Sequence, residues 1–341
     1  MLESRFTVSK SDRAAAVLEA SGLGKLLRRV PVWRGALVVN YHRIGDGSAS
    51  PYDRTLWSAT PEELGVHLET LARHFEVVGP EYLTEAPPRR LGRAVLITFD
   101  DGYRDNYESA FPALRSHGLH ATFFVATGFI DRPRAPWWDE VAWMVRTSPR
   151  SELPAGDWLD RGIEFDEPER ERAVGSLLAL YKGMAGERAN EFLDFLAEAT
   201  GSGRCHEADA HDAWMTWDMV RELRSAGMWV GAHTVDHPVL ARSSRARQEE
   251  EIAGCRDRLA AELGERPRYF SYPVGLPGTF DSETQALVRD SGFELAFAFS
   301  GGYVRDSVQD RYAVPRSSEG LEGGPDRFHA MVTLPQVFAR W

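Results

Sequence analysis

The sequence predicts an α/β fold of repeated βα units interrupted by a helical insertion. Short apolar runs alternate with amphipathic stretches as far as Ala126 and again after Met215, and between Gly128 and Met215 that rhythm gives way to helical segments. At 341 residues, 43% hydrophobic and 27% charged, the chain is long enough for one large α/β domain or two modest ones. Repeated βα units suit a barrel or a wound sheet, and pattern alone does not choose between them.

The elements follow in order. Ala14, Val17, Leu18, Leu23, Leu26 and Leu27 recur at helical spacing within Lys10 to Arg29, broken by Gly22 and Gly24, which predicts a leading helix or helix pair. Ala36 to His42 is an apolar run ending in polar groups, the pattern of a buried strand whose end faces a site. Thr60-Pro61-Glu62-Glu63 starts a helix to about Phe75: Thr caps, Pro suits the first turn, and the third-position Glu reaches back. Ala94 to Phe99 is a buried strand running into Asp100-Asp101-Gly102, followed by a helix over Asp105 to His117 and a strand over Ala121 to Ala126.

In the insertion, Pro136-Trp137-Trp138-Asp139 precedes helices predicted over Glu171 to Tyr181 and Ala189 to Ala199. The alternation then resumes with helix Trp217 to Ser225, strand Met228 to Ala232, helix Ser244 to Leu263, strand Tyr269 to Tyr272, helix Ser282 to Ser291 and strand Leu295 to Phe299. The implied division is an N-terminal helical segment at 1–34 and a main domain at 35–341, with the insertion at about 129–215.

A net charge of -11 argues against nucleic acid as a partner, because that affinity rests on clustered cations. A basic patch around Arg28, Arg29 and Arg34 is the local exception, and short charge runs are usually solvated faces. Cys205 and Cys255 are too few for a disulfide framework or a thiolate zinc site, and leave one disulfide open. Met1 to Val30 never gives the continuous apolar stretch of a signal peptide or membrane span. The expectation is therefore a cytoplasmic protein without a transmembrane segment, with peripheral membrane contact through the leading amphipathic segment as a lesser alternative. Oligomeric state is not indicated.

The chemistry concentrates in two places. His233-Thr234-Val235-Asp236-His237 sets two imidazoles four positions apart directly after a predicted strand. Alone, such a pair is more often a surface or hydrogen-bonded pair than a metal site. Asp100-Asp101 adds two consecutive carboxylates after a buried strand, a costly arrangement unless they are solvated, paired or bound to a cation; the competing reading is a helix N-terminus, where Asp caps. Strand alternation points the two carboxylates differently, so Asp101 is free to join His233 and His237 on a divalent metal while Asp100 reaches a water as base. Two imidazoles and one carboxylate leave coordination positions open, as catalytic zinc sites do, and amide or ester hydrolysis needs that arrangement.

Thr98-Phe99-Asp100-Asp101-Gly102-Tyr103 and His233-Thr234-Val235-Asp236-His237 resemble the first two motifs of the polysaccharide deacetylases, the NodB-homology or carbohydrate esterase family 4 enzymes. Further similarity runs through Met215-Thr216-Trp217-Asp218, Phe270-Ser271-Tyr272-Pro273-Val274-Gly275 and Ala313-Val314-Pro315-Arg316. The resemblance implies a distorted (β/α) barrel, usually of seven strands, that removes an acetyl group from an N-acetylated sugar. It also implies Asp101, His233 and His237 as ligands, usually to zinc, with cobalt, nickel and iron as alternatives, and Asp100 as base.

The family's general acid is normally a His in a late Leu-x-His motif, and Phe328-His329-Ala330 does not fit it. An exopolysaccharide-deacetylase-like branch carries this His early, and Val39-Asn40-Tyr41-His42-Arg43 resembles that element, so His42 is the expected acid. Ser271 stands where many relatives place an Arg beside the base; by resemblance to the same branch Arg316 is its candidate replacement, against the plainer reading of a solvated Arg at a strand end. Trp138 and Asp139 are candidates for the cleft wall, a Trp-rich stretch being more often core, and Tyr103 and Tyr272 join them as candidate substrate contacts or supports of the site. The expected partner is an N-acetylated sugar or glycoconjugate. Two other readings stay open: an amide hydrolase acting on a formamide or small amide, and a carbohydrate-binding protein with a relict site.

Overall fold

The computed structural model describes residues 9–84, 93–166, 169–205, 211–305, 308–318, 320–321 and 324–339. The apolar runs form a sheet of eight strands: β1 (Ala36–Tyr41), β2 (Glu76–Val77), β3 (Ala94–Phe99), β4 (Thr122–Val125), β5 (Trp229–Ala232), β6 (Tyr269–Ser271), β7 (Leu295–Ala298) and β8 (Val314–Pro315). Seven run in the order β1-β3-β4-β5-β6-β7-β8, every neighbouring pair is parallel, and β2 adds to β3. Beyond β8, the Ser317 N–H donates to the Val38 carbonyl (3.0 Å) and the Asn40 N–H to the Ser317 carbonyl (3.1 Å). This parallel bridge joins the last strand to the first, and the sheet is a nearly closed barrel rather than an open wound sheet.

Strand alternation divides the apolar side chains between two faces. Ala36 and Val38, Ala94 and Leu96, Phe124, Tyr269, Leu295, Phe297 and Val314 cluster together inside the ring. Leu37, Val39, Val95, Ile97, Phe123 and Val125 pack outward against the surrounding helices. Because all these strands are parallel, their C-terminal ends lie on one rim, where the loops of such barrels build active sites.

The helices form where caps and periodicity place them, beginning with α1 (Lys10–Ala20) and the short helix Leu23–Leu27 behind it. In α2 (Pro61–His74), Thr60 Oγ1 accepts from the Glu63 N–H (3.2 Å) and Glu63 Oε2 from the Thr60 N–H (2.9 Å), and Leu64, Leu68 and Leu71 form the buried stripe. Where one helix is expected over Asp105 to His117, a π-helical turn (Asn106–Ala110) precedes an α-helix (Phe111–Ser116). Pro112 has no N–H to give to a carbonyl four residues back, and the Asn106 side chain is drawn off to the His42 carbonyl (2.6 Å).

Between β4 and β5 the chain builds α3 (Trp137–Arg146), α4 (Arg170–Gly183) and α5 (Ala189–Thr200), with a short antiparallel ladder pairing Glu152–Leu153 with Ile163–Glu164. These elements share a core of their own that includes Val141, Val145, Leu177, Phe192 and Leu196. The helix α3 is buried on nearly every side, its acidic residues Asp139 and Glu140 included. The strand β8 escapes sequence reasoning because two residues carry no period. Among the described residues no helix is long and apolar enough to cross a membrane, and no disulfide joins Cys205 to Cys255.

Candidate active site

Five strand ends deliver the polar residues to one rim: Asn40 and His42 from β1, Thr98 to Asp101 from β3, His233 from β5, Ser271 from β6, and Arg316 from β8. Asp100 keeps the inward side of β3, two positions beyond Thr98 and four beyond Leu96. Asp101 departs from the strand with φ 75°, and Thr234 (65°) and His237 (55°) are also left-handed. Each non-glycine residue in that region costs on the order of 1–2 kcal/mol, so both sequence motifs are held in a conformation their own backbones disfavour.

The surroundings enforce those turns. Glu251, on the helix α6 (Arg245–Leu263), accepts from two successive backbone N–H groups, Val235 and Asp236, each at 2.8 Å. Thr234 Oγ1 accepts from the His237 N–H (3.0 Å), and Trp137 Nε1 donates to the His237 carbonyl (3.1 Å). On the other motif, the Ala126 N–H donates to the Asp101 carbonyl (3.2 Å) and the Met215 N–H to the Gly102 carbonyl (3.0 Å).

Asp101 Oδ1 then faces His233 Nε2 at 3.3 Å and His237 Nε2 at 3.4 Å, and the three donor atoms lie within 4.8 Å of one another, all on buried residues. His233 Nδ1 lies 2.8 Å from the Ser271 carbonyl, which can only accept, so Nδ1 carries the proton and the Nε2 lone pair is turned toward Asp101. Two imidazole nitrogens aimed at a carboxylate oxygen call for a cation between them. Asp101 Oδ1 accepts no well-directed hydrogen bond among the described residues, although it is buried. The donor set fits a divalent metal that takes nitrogen and oxygen ligands and keeps positions open.

The electrostatics of the three residues fit that need. Burial alone would lower His233, but the neighbouring Asp100 and Asp101 carboxylates raise it above its ordinary value. Burial and the charge of His233 push His237 down to about 3. Burial would raise Asp101, and the surrounding histidines, His233 first among them, hold it below the usual carboxylate range instead.

Asp100 is fixed differently. Arg316, 1% exposed, grips it with both arms, Nη1 to Oδ1 at 2.8 Å and Nη2 to Oδ2 at 2.7 Å. The same guanidinium donates to Asn40 Oδ1 (2.7 Å) and Ser271 Oγ (2.8 Å), while Thr98 Oγ1 donates to Asn40 Oδ1 (2.8 Å). Ser271 Oγ and Asn40 Nδ2 donate to Asp100 Oδ2 at 3.2 and 3.3 Å. Burial works to raise Asp100, but the charge of Arg316, then that of His233, outweighs it and holds the carboxyl well below its ordinary range. The position left by Ser271 is thus filled from another strand, and Ser271 keeps a part as a hydrogen-bonding spacer.

Asn40, Asp100, Asp101, His233, His237 and Arg316 line a cavity of about 220 Å³ together with His42, Trp137, Trp138 and Lys182. His42 is anchored on both sides of its backbone, its N–H donating to Ser58 Oγ (2.9 Å) and its carbonyl accepting from Asn106, and its ring meets the Phe299 ring edge-on at 6.3 Å. His329 lies elsewhere, on the helix Pro325–Thr333, within hydrogen-bonding distance of Thr70 (3.0 Å). Of the other candidates, Trp138 reaches the cavity and Tyr103, Asp139 and Tyr272 do not line it. All three are buried with their polar atoms committed to protein: Tyr103 accepts from Trp138 Nε1 (2.9 Å), Asp139 from the Asp53 N–H (2.9 Å), and Tyr272 donates to the Tyr312 carbonyl (2.9 Å). Burial raises Asp139 to about 7.

The polysaccharide deacetylase family model matches residues 89–149 and 182–296, more than half of the chain. The chain belongs to the polysaccharide deacetylase family. That family is one of metal-dependent hydrolases that remove N-acetyl groups from sugars. YxkH of Bacillus subtilis (strain 168), which carries the polysaccharide deacetylase name, is 58% identical over 234 residues, 68% of this chain and 54% of its own. The chain therefore spans about half the length of that relative. Among solved structures, the de-N-acetylase from Aggregatibacter actinomycetemcomitans superposes with a TM-score of 0.54 at 17% identity, covering 86% of this chain and 97% of its own. IcaB from Ammonifex degensii gives 0.53 at 20% identity, covering 89% and 97%. At these identities the two structures speak for the deacetylase barrel fold alone.

Several residues of the deacetylase site escape sequence reasoning. Asn40 lies within the early motif but reads as a strand residue, Glu251 is one acid among many on a charged helix, and Lys182 sits in a helix far from both the Asp100-Asp101 and the His233–His237 motifs. No local pattern marks a residue whose role depends on which distant backbone it meets.

Proposed function

We propose that this deacetylase-family chain hydrolyses the acetamide of an N-acetylated sugar, releasing acetate and a free amine. The observation that carries the reading is the juxtaposition of two differently held carboxylates: Asp101 turned onto two imidazole nitrogens, and Asp100 clamped by Arg316 beside the same cavity. Asp101, His233 and His237 would hold the metal, zinc by the chemistry of the set. When bound it supplies Lewis acidity, acidifying water and polarising the acetamide carbonyl.

The chain's own groups do the rest. Asp100, kept anionic and in one orientation by the two arms of Arg316, accepts the proton of the attacking water as the carbon–oxygen bond forms. His42, directly after the first strand and facing the same cavity, donates a proton to the nitrogen as the carbon–nitrogen bond breaks. Trp137 and Trp138 give the cavity the aromatic faces suited to a sugar ring, and Lys182 brings a cation to its wall. The test is a panel of N-acetylated and N-formylated sugars incubated with the protein and zinc, cobalt or nickel, with acetate and formate measured. Acetate release lost in Asp100→Asn and His42→Ala supports the reading. Formate as the preferred product would replace it with the formamide reading, and glycan binding without turnover under every metal would sink it.

A further inference from the structure

Away from the catalytic rim, one surface departs from the acidic character of the molecule. Between Ser9 and Arg34 six basic side chains stand against two acidic ones, in a chain whose net charge is -11. Both acids are already engaged: Glu19 pairs with Arg28 (2.7 Å), and Asp12 with Arg327 (3.0 Å). Lys25 and Arg29 are exposed and make no ion pair among the described residues. They share a shallow cavity of about 240 Å³ with Arg28, Arg73, His74 and Glu69. The concentration of charge is felt at His74, which burial and the cations of Arg28, Arg93, Arg29 and Arg73 all press below its ordinary value.

Apolar side chains project from the same segment. Of six large apolar residues exposed among the described residues, four fall here: Val17 (68%), Leu23 (47%), Leu26 (60%) and Val30 (43%). Leu23, Leu26 and Val30 recur at three- and four-residue spacing along the helix Leu23–Leu27 and the turns that follow it. Exposed leucines would be a liability in water, and the cations beside them would be redundant for solubility in a chain already this charged. Together they make the pairing that an anionic bilayer surface takes: apolar groups for the acyl boundary and Lys and Arg for the headgroups.

We infer that the Leu23–Val30 segment, with its cations Lys25 and Arg29, docks this protein on an anionic membrane surface. The segment leads into the N-terminal end of β1, and the Arg28 carbonyl accepts from Arg93 just before β3, so the patch lies at the rim opposite the catalytic cavity. Docking there turns the cavity away from the bilayer, toward sugar chains that extend from it or pass in solution. The surface stands on its own geometry, independent of the reaction at the other rim.

The experiment is co-sedimentation of the full chain with vesicles of phosphatidylcholine alone or mixed with phosphatidylglycerol, at low and raised salt. The protein is expected to pellet with the anionic vesicles only, and less at raised salt. Lys25→Glu/Arg29→Glu is expected to lose about tenfold or more in apparent affinity, each basic residue near such a surface contributing roughly 1 kcal/mol. Leu23→Asp/Leu26→Asp is expected to lose binding at low salt as well, and unchanged thermal melting in both variants shows that they are folded. Equal pelleting of all variants overturns the proposal, as does no pelleting at all. Complete displacement by inorganic phosphate would make the patch a phosphate site, and a dimer abolished by Leu23→Asp/Leu26→Asp without vesicle binding would make it a contact between two copies; either result also overturns it.

Discussion

The two ends of the barrel lumen are built by the same strands, two residues apart, and obey opposite rules. Toward the N-terminal end Val38, Leu96, Phe297 and Val314 fill the interior with apolar side chains. One layer higher, Asn40, Thr98, Asp100, Ser271 and Arg316 form a fully buried polar network, with left-handed backbones at Asp101, Thr234 and His237 beside it. The apolar end gains stability from every side chain it holds. The polar end accepts desolvation and backbone strain, which a structure tolerates where the arrangement serves chemistry.

That contrast can be broken from the polar side first. Asp100→Asn keeps the shape but removes the base, and acetate release is expected to fall by roughly 100- to 10,000-fold while bound metal, measured by elemental analysis, stays at the wild-type ratio. Loss of metal along with activity would mean that Asp100 belongs to the ligand set instead. Arg316→Leu leaves a buried carboxylate without its cation, and the urea midpoint is expected to report a loss of about 3–5 kcal/mol. Replacing Asp100 and Arg316 together by apolar residues should recover most of that loss, because a paired absence is tolerated better than an orphaned charge.

Leu96→Ala, at the apolar end, is expected to cost about 2–5 kcal/mol in the same measurement with metal stoichiometry intact. Acid sharpens the comparison further. His237 at the rim and His67 on α2 are both pushed down to about 3, each chiefly by burial. The unfolded chain, with His near 6.5, binds more protons than the folded one between those values. Stability of the metal-free protein should therefore fall as pH drops below about 6.5, by up to roughly 1.4 kcal/mol per pH unit for each group. Saturating zinc should keep the His237 part, because a metal ligand stays unprotonated in the folded state, and add one from His233, visible as a steeper slope. The smallest effect is Thr60→Ala, which removes the α2 cap and is expected to cost about 1 kcal/mol with activity unchanged.

How much was legible follows the range of the interaction. The boundaries of β3 and of the helix over Trp217–Ser225 coincide with their predicted ranges because apolar runs and caps act over a few residues. The two motifs were legible because each ligand set is compact in sequence, although what bends Asp101, Thr234 and His237 into left-handed turns is supplied by Glu251, Trp137 and Met215 from elsewhere. The helix α3 lies outside the predicted ranges because Pro136 at its N-cap offers no side chain to the first-turn N–H groups, so no capping signal marks its start.

By itself the sequence determined the α/β alternation, the candidate metal trio and the candidate base, since these depend on local spacing and side-chain chemistry. Closure of the sheet through Ser317 was decided by tertiary structure alone, and so was the two-armed contact that makes Arg316, a candidate by resemblance only, the partner of Asp100. Asp100 and Arg316 are separated by more than two hundred positions, and a buried carboxylate is satisfied by whichever cation the closed ring brings within hydrogen-bonding distance. That is a property of the barrel's geometry, and no stretch of the chain encodes it separately.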